Sequence, residues 1–150
     1  MKPFIRRATG LDAIRFAPVL RPEDALELQT AHPEQQLWSI LTQAVESGES
    51  YLWADNPDFF SPYLLCGVVP VELGIGTIWM VATDGIKGHA ISILREARHW
   101  LTYWHEQYSL LVNQVECRNI LHLRWLQLLG ARVDPDADIR NGQQVLTFYL

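Results

Sequence analysis

The chain has 150 residues, 49% of them hydrophobic and 19% charged, and a net charge of −5. A single domain of this length buries about 68–70% of its unfolded surface, so it needs neither a metal nor a disulfide to fold. The composition excludes a disordered chain, and the acidic balance argues against a general nucleic-acid binder, which carries a basic excess.

The first residues, MKPFIRRATG, lack the apolar core of a secretory leader. No run reaches the roughly 18 apolar residues of a membrane-spanning helix. Cys66 and Cys117 lie in apolar strand-like runs without a CxxC pattern, as expected of reduced, buried thiols in a cytosolic protein.

FIRRAT alternates apolar and basic residues and reads as a first strand. Thr9 and Asp12 make a capping-box pair that opens a helix over 10–20. Pro22 suits the first turn of a second short helix, with Glu23 and Asp24 complementing its positive end. HPEQQLWSILTQAVESG reads as a third helix, opened by Pro33 and closed by Gly48, with a core stripe of Leu37, Ile40, Leu41, Ala44 and Val45.

Three strands follow in SYLWAD, YLLCGVVPVE and TIWMVAT, separated by the turn-rich NPDFFSP and ELGIG. TIWMVAT is the most apolar and is expected at the centre, covered on both faces. Consecutive strands joined by short loops should be antiparallel. The octapeptide TDGIKGHA, residues 83–90, then leads into a long helical pattern. It has two readings: a strand-to-helix turn in which glycine supplies a positive φ, or a nest of amides that holds a phosphate, with Lys87 adding charge.

In the long helix, Ile91, Leu94 and Leu101 mark one apolar face and Ile93, Ala97, Trp100 and Trp104 a neighbouring one. Arg95, Glu96, Arg98 and Glu106 face water. Trp100, Tyr103 and Trp104 serve either the core or a protein interface. SLLVNQVE is a strand, parallel to TIWMVAT through a right-handed crossover. RNILHLRWLQLLG is a helix ended by Gly130 in a left-handed cap. ARVD is a strand, PDADIRNG a loop, and QQVLTFYL a last strand. His89, His99, His105 and His122 form no metal pattern, and His122 reads as a core or rim histidine.

The predicted architecture is one α/β domain over residues 1–150, a mixed sheet of six or seven strands in the order β-α-α-β-β-β-α-β-α-β-β with helices on both faces. This order resembles the GNAT family of N-acetyltransferases over nearly the whole chain. In that family a Q/R-x-x-G-x-G/A loop opens the long helix, and its amides hold the pyrophosphate of acetyl-CoA. Here Gly88, His89 and Ala90 fill the G-x-G/A part and Gly85 stands at the Q/R position. The family's N-x-x-A-x-x-x-Y-x-x-x-G-F stretch matches at Asn119 and Gly130. His122, Leu126 and Ala131 replace its alanine, tyrosine and phenylalanine.

The resemblance implies a CoA site at Val81, Thr83, Gly85, Lys87, Gly88, His89, Ala90 and Asn119. It also implies lost chemistry. Leu126 cannot protonate a departing thiolate, and TIWMVAT carries no carboxylate base. The nearest acids are Glu72, Asp84 and Glu116, of which Asp84 or Glu116 would take the proton in an active enzyme. GVVPV, WMVATD and RWLQLLGA further resemble the small GNAT-like proteins of short-tailed phages, a family associated with internal virion proteins. That likeness implies a degenerate enzyme acting in particle assembly, in the host cytoplasm and in the virion. Its partners would be other phage virion proteins or a second copy, with no membrane, nucleic acid or metal. The alternatives are an acetyl-CoA-dependent N-acetyltransferase and a catalytically silent CoA-binding sensor.

Overall fold

The computed structural model describes residues 2–150. Strand β1 (Phe4–Arg7) is followed by helices α1 (Gly10–Phe16), α2 (Pro22–Ala31) and α3 (Leu37–Glu46). Strands β2 (Glu49–Ala54), β3 (Leu64–Glu72) and β4 (Ile75–Ala82) come next, then helix α4 (Ala90–Trp104) and strand β5 (Leu110–Glu116). Helix α5 (Ile120–Leu128) and strands β6 (Arg132–Val133), β7 (Asp138–Arg140) and β8 (Gln143–Tyr149) complete the chain.

The sheet order is β1-β2-β3-β4-β5-β8-β6, with β7 also paired to β8. The run β1 to β4 is antiparallel, β4 and β5 are parallel, and β5 and β8 are antiparallel. This is the expected mixed sheet with one parallel crossover through α4, and it has eight strands rather than six or seven. The added strand is β7, which lies inside the segment expected to be a loop. Its three residues are too few to show an alternating pattern, and it exists by pairing with β8 across the Asn141–Gly142 turn, where both residues have a left-handed φ.

Two apolar layers cover the sheet. Phe16 of α1 and Leu41 and Val45 of α3 pack with Leu52, Leu65 and Val81 on one face. Ile93 of α4 and Trp125 of α5 pack with Trp53, Leu64, Cys66 and Ala82 on the other. β4 therefore feeds both cores, as its unbroken apolar run requires. Cys66 is buried and Cys117 half-buried, and both are free thiols. Burial pushes the Cys66 thiol up to about 12.

Three local expectations are corrected. The first helix gives way to a 3₁₀ turn at Ala17–Val19, where Pro18 cannot donate to the preceding turn. α3 begins at Leu37, because Pro33 sits in a turn closed by the Gln35 amide on the His32 carbonyl. Ile91 is exposed, so the buried face of α4 is the one that carries Ile93 and Trp104. Trp104 is buried and donates to Glu49, Trp100 lies against Tyr51, and Tyr103 is exposed. Gly48 is required for close approach: a Cβ there would overlap the Val68 carbonyl as the chain enters β2.

The capping box at Thr9 and Asp12 forms as expected. Burial works to raise the Asp12 carboxyl, but hydrogen bonds from Arg6 and Thr9 outweigh it and hold the group below its ordinary 3.8. A carboxyl lowered by folding stabilises above its unfolded value, and that contribution disappears as the pH falls through the folded one. Asp12→Asn should therefore flatten the loss of stability on acidification below about pH 3.8. The effect should be about 1 kcal/mol or less for a pair whose arginine is open to solvent, read from urea midpoints across a pH series. An unchanged acid limb would exclude Asp12 as its source.

Candidate functional site

The site is built where β4 and β5 part. They pair only from Ile75–Thr77 to Leu110–Val112. Beyond that point the strands diverge, and the backbone groups on their facing edges must find other partners. Alternation along β4 turns the backbone N–H and C=O groups of Ile78, Met80 and Ala82 toward the gap, whereas those of Val81 and Thr83 point to β3, where the Thr83 amide donates to the Tyr63 carbonyl.

Side chains bridge the gap. Asn113 Nδ2 donates to the Ile78 carbonyl at 2.7 Å. At the wide end, α2 enters. The Arg21 amide donates to the Ala82 carbonyl at 2.8 Å, and the Ala82 amide donates to Asp24 Oδ2 at 2.9 Å. Asp24 Oδ1 accepts from Arg21 Nη1 at 3.1 Å and from Asn119 Nδ2 at 3.0 Å. Glu27 accepts from Asn119 Nδ2 at 3.0 Å and from the Glu116 amide at 3.3 Å. Asp24 and Arg21 are both buried. His122 Nε2 lies 3.2 Å from Asp24 Oδ1, off the line of a hydrogen bond. Burial raises the Glu27 carboxyl above its ordinary value, against the lowering effect of the Asn119 hydrogen bond.

The octapeptide is a turn. Residues Asp84–Gly88 wind as 3₁₀ helix behind Thr83, whose hydroxyl accepts from the Gly85 amide and whose carbonyl accepts from the Ile86 amide. The His89 amide donates to the Ile86 carbonyl. Gly85 and Gly88 both lie outside the left-handed region, so the positive φ expected of them is absent. Lys87 is exposed. His89 stacks on Tyr63, with centroids 4.2 Å apart and planes 6° apart, and Nε2 sits 3.2 Å from Asp55 Oδ2. Burial pushes the Tyr63 phenol up to about 12, with Asp55 adding to the shift.

The residues expected to hold CoA are thus spread over three environments. Gly85, Lys87, Gly88, His89 and Ala90 surround the 3₁₀ turn, where the Gly85, Ile86 and His89 amides are already bonded within the chain. Val81 and Thr83 face β3. Asn119 serves the α2 carboxylates. As they stand the Gly85, Ile86 and His89 amides are not free for a CoA diphosphate, whereas no side chain caps the first turn of α4. Asp84 is exposed, while Glu116 is buried and held by Arg118 Nε at 2.8 Å, so the two acids at the strand ends do not meet. Glu72 lies at the far end of β3. Among the described residues no group of acids, histidines and cysteines could hold a metal, and no helix is long and apolar enough to cross a membrane.

Sequence reasoning missed Arg21, Asp24 and Glu27. Asp24 reads as an ordinary acid in a helix first turn, and only the sheet it meets makes it central. The Arg21–Asp24 spacing of three was the available signal, since it places the two side chains on one helix face. Behind this polar plug, a cavity of about 490 Å³ runs through the gap between the two faces of the sheet. Its walls include Trp53, Trp79, Trp100, Trp104 and Trp125, together with Leu126 at the position of the family's tyrosine.

No family model and no curated protein matches the chain. Solved structures do. An IAA acetyltransferase from Bacillus cereus is 14% identical, with a TM-score of 0.64, covering 99% of each chain. A spermidine N-acetyltransferase from Vibrio cholerae, solved with CoA and spermine, is 11% identical with a TM-score of 0.69, covering 99% of this chain and 95% of its own. A GNAT family acetyltransferase from Elizabethkingia anophelis with acetyl-CoA bound is 19% identical with a TM-score of 0.62, covering 99% and 97%. The chain has the GNAT fold.

Removing the Asp24 carboxylate strands three donors, the Ala82 amide, Arg21 Nη1 and Asn119 Nδ2, and leaves the buried Arg21 only the exposed Glu23 as an acid partner. Asp24→Ala should lower the free energy of unfolding by about 3–5 kcal/mol, and Asp24→Asn, which keeps one acceptor, should cost less. Urea denaturation measures both. A loss below about 1 kcal/mol for Asp24→Ala would mean that water replaces the carboxylate.

Proposed function

We propose that this chain uses the GNAT fold as a binding scaffold rather than for acetyl transfer, and acts through protein contacts as an internal virion or assembly component of a short-tailed phage. The observation that carries the first half is Asp24. The strand edge at Ala82, which faces the gap between β4 and β5, is occupied by a carboxylate and an amide of the same chain. An acyl-CoA reaching that edge has to displace Asp24. Its diphosphate would then find the Gly85, Ile86 and His89 amides already committed within the chain. Leu126 in place of a phenol and the absence of a carboxylate on β4 support the same reading. The assembly role rests on the resemblance of GVVPV, WMVATD and RWLQLLGA to the phage proteins.

A second reading is an acetyl-CoA-dependent N-acetyltransferase. It is supported by the parted strands, the cavity between them, and the acetyltransferases that share the fold, some of them solved with CoA or acetyl-CoA. In this reading α2 moves aside, an amine attacks the thioester carbonyl directly, the C–S bond breaks with CoA leaving as a thiolate that water protonates, and Glu116 or Asp84 receives the amine proton through water.

Calorimetric titration with acetyl-CoA and with CoA separates the two. The scaffold reading expects no binding up to about 1 mM, the weak end of measurable affinity, and no thiol release with any member of an amine panel. Turnover would establish the second reading, and binding without turnover would point to a sensor. Phage particles made without the protein should be defective, and normal infectious particles would remove the assembly role.

A further inference from the structure

α2 is held over the seam by a cluster of charges that do not cancel. The acids are Asp24 and Glu27 of α2 and Glu116 at the end of β5, and the bases are Arg21 and Arg118. Three carboxylates against two guanidinium groups leave one negative charge over. Glu23 also approaches Arg21, at 3.3 Å, but its side chain is exposed and answered by water. Arg140 of β7 lines the cavity beside the cluster and donates to Gln114, and no charged residue of β4 or α4 lines it. A surplus charge around a buried carboxylate is costly, and a proton taken up beside it cancels the surplus.

Glu27 and His122 are the two groups placed to take that proton. Both Glu27 oxygens already face donors, Oε1 the Asn119 Nδ2 at 3.0 Å and Oε2 the Glu116 amide at 3.3 Å, whereas a carboxyl proton needs an acceptor. His122 reaches the cluster from α5. Its Nε2 lies 3.2 Å from Asp24 Oδ1, out of reach of water and with no hydrogen-bond partner among the described residues. A carboxylate oxygen only accepts, so a bare Nε2 would set lone pair against lone pair at that distance. A proton on Nε2 turns the contact into an attraction, and a ring protonated on both nitrogens adds the missing positive charge. The His122 side chain keeps 12% of its surface exposed, so the second proton reaches the ring from solvent.

We propose that His122 is a proton-operated latch for α2: the charged ring holds Asp24 and keeps the helix over the seam, and the neutral ring lets the helix open more often. The latch acts whether or not the cavity behind α2 takes CoA, so it stands apart from both readings above. Histidine changes charge between about pH 5 and 8. The closed form gains from the proton, so its advantage is present at the acid end of that range and is lost as the pH rises through the titration of the ring. Hydrogen exchange of the α2 amides, expressed as protection factors to remove the intrinsic pH dependence, reads the opening directly. From about pH 8 down to about pH 5.5, protection of the α2 amides should rise about tenfold relative to those of α3, the factor that one pKa unit of coupling produces. The rise should follow the titration of the His122 ring, read by NMR on the unmodified protein. His122→Gln, which can still donate to Asp24 but cannot titrate, should abolish the rise. His32→Gln, at the exposed far end of α2, should leave it unchanged. Equal protection across the range, or a rise that follows the Glu27 carboxyl instead of the His122 ring, would overturn the proposal on the unmodified protein alone, whatever the variants do to folding. A rise that survives His122→Gln would equally overturn it.

Discussion

The organisation of this molecule depends on a sheet that opens at its parallel seam. A strand edge inside a folded chain carries amides and carbonyls that must be bonded, because each one left bare costs as much as a broken hydrogen bond. β4 and β5 stop pairing after Thr77 and Val112, so the seam needs substitutes. Asn113 supplies one from within the sheet, and α2 supplies the others through the Arg21 amide, Asp24 and Glu27. A buried carboxylate alone would be prohibitive, with several kcal/mol of lost hydration. Asp24 is tolerable because an arginine, an asparagine and a backbone amide all point at it.

That solution has an electrostatic consequence at the end of the seam. Asp24, Glu27 and Glu116 converge there, answered by Arg21 and Arg118. The N-terminus of α4 lies close by with the partial positive charge common to helix starts, yet the segment before it closes on itself. Thr83 occupies the amides of Gly85 and Ile86, and the His89 ring turns away to Tyr63 and Asp55. Of the amides this segment could present to an anion, those of Gly85, Ile86 and His89 are satisfied internally. Backbone path and side-chain chemistry are therefore separable: the neighbours in the same fold that hold CoA or acetyl-CoA share the path, and their low identity leaves the chemistry of the seam free to differ.

Much of the path was legible because it follows from local rules. Alternation gave β1, apolar runs between turn signals gave β2 to β5, the Thr9–Asp12 pair gave the start of α1, and Gly130 marked the end of α5 with its left-handed φ. The unbroken apolar run of β4 announced a strand covered on both faces. The failures have physical causes. β7 is created by its neighbour rather than by its own pattern, and Pro33 suits either a helix start or a turn. Ile91 sits on the solvent side because α4 is rotated to bury Ile93 and Trp104. The site was harder to read than the path. Whether a backbone group of β4 faces β3 or the gap depends on register parity, and a shift of one residue exchanges Val81 and Thr83 for Met80 and Ala82. Asp24 meets Ala82 across 58 positions of sequence, a distance over which no spacing rule reaches.

The way α2 is attached differs from that of its neighbours, and this bears on access to the cavity behind it. α3 is anchored by Ile40, Leu41 and Val45, all buried. In α2 the one buried residue is Asp24, while Leu26 is exposed and Leu28 only borders the core. Its far end is held by Arg118 on the Thr30 hydroxyl and by Asn141 on the carbonyls of Thr30 and Ala31. Water can replace such polar contacts as they break, whereas it offers nothing to an exposed leucine core. Local opening in a folded protein concentrates where apolar burial is least. The element that closes the seam is thus held mainly by polar contacts centred on Asp24, and opening it exposes the aromatic cavity behind.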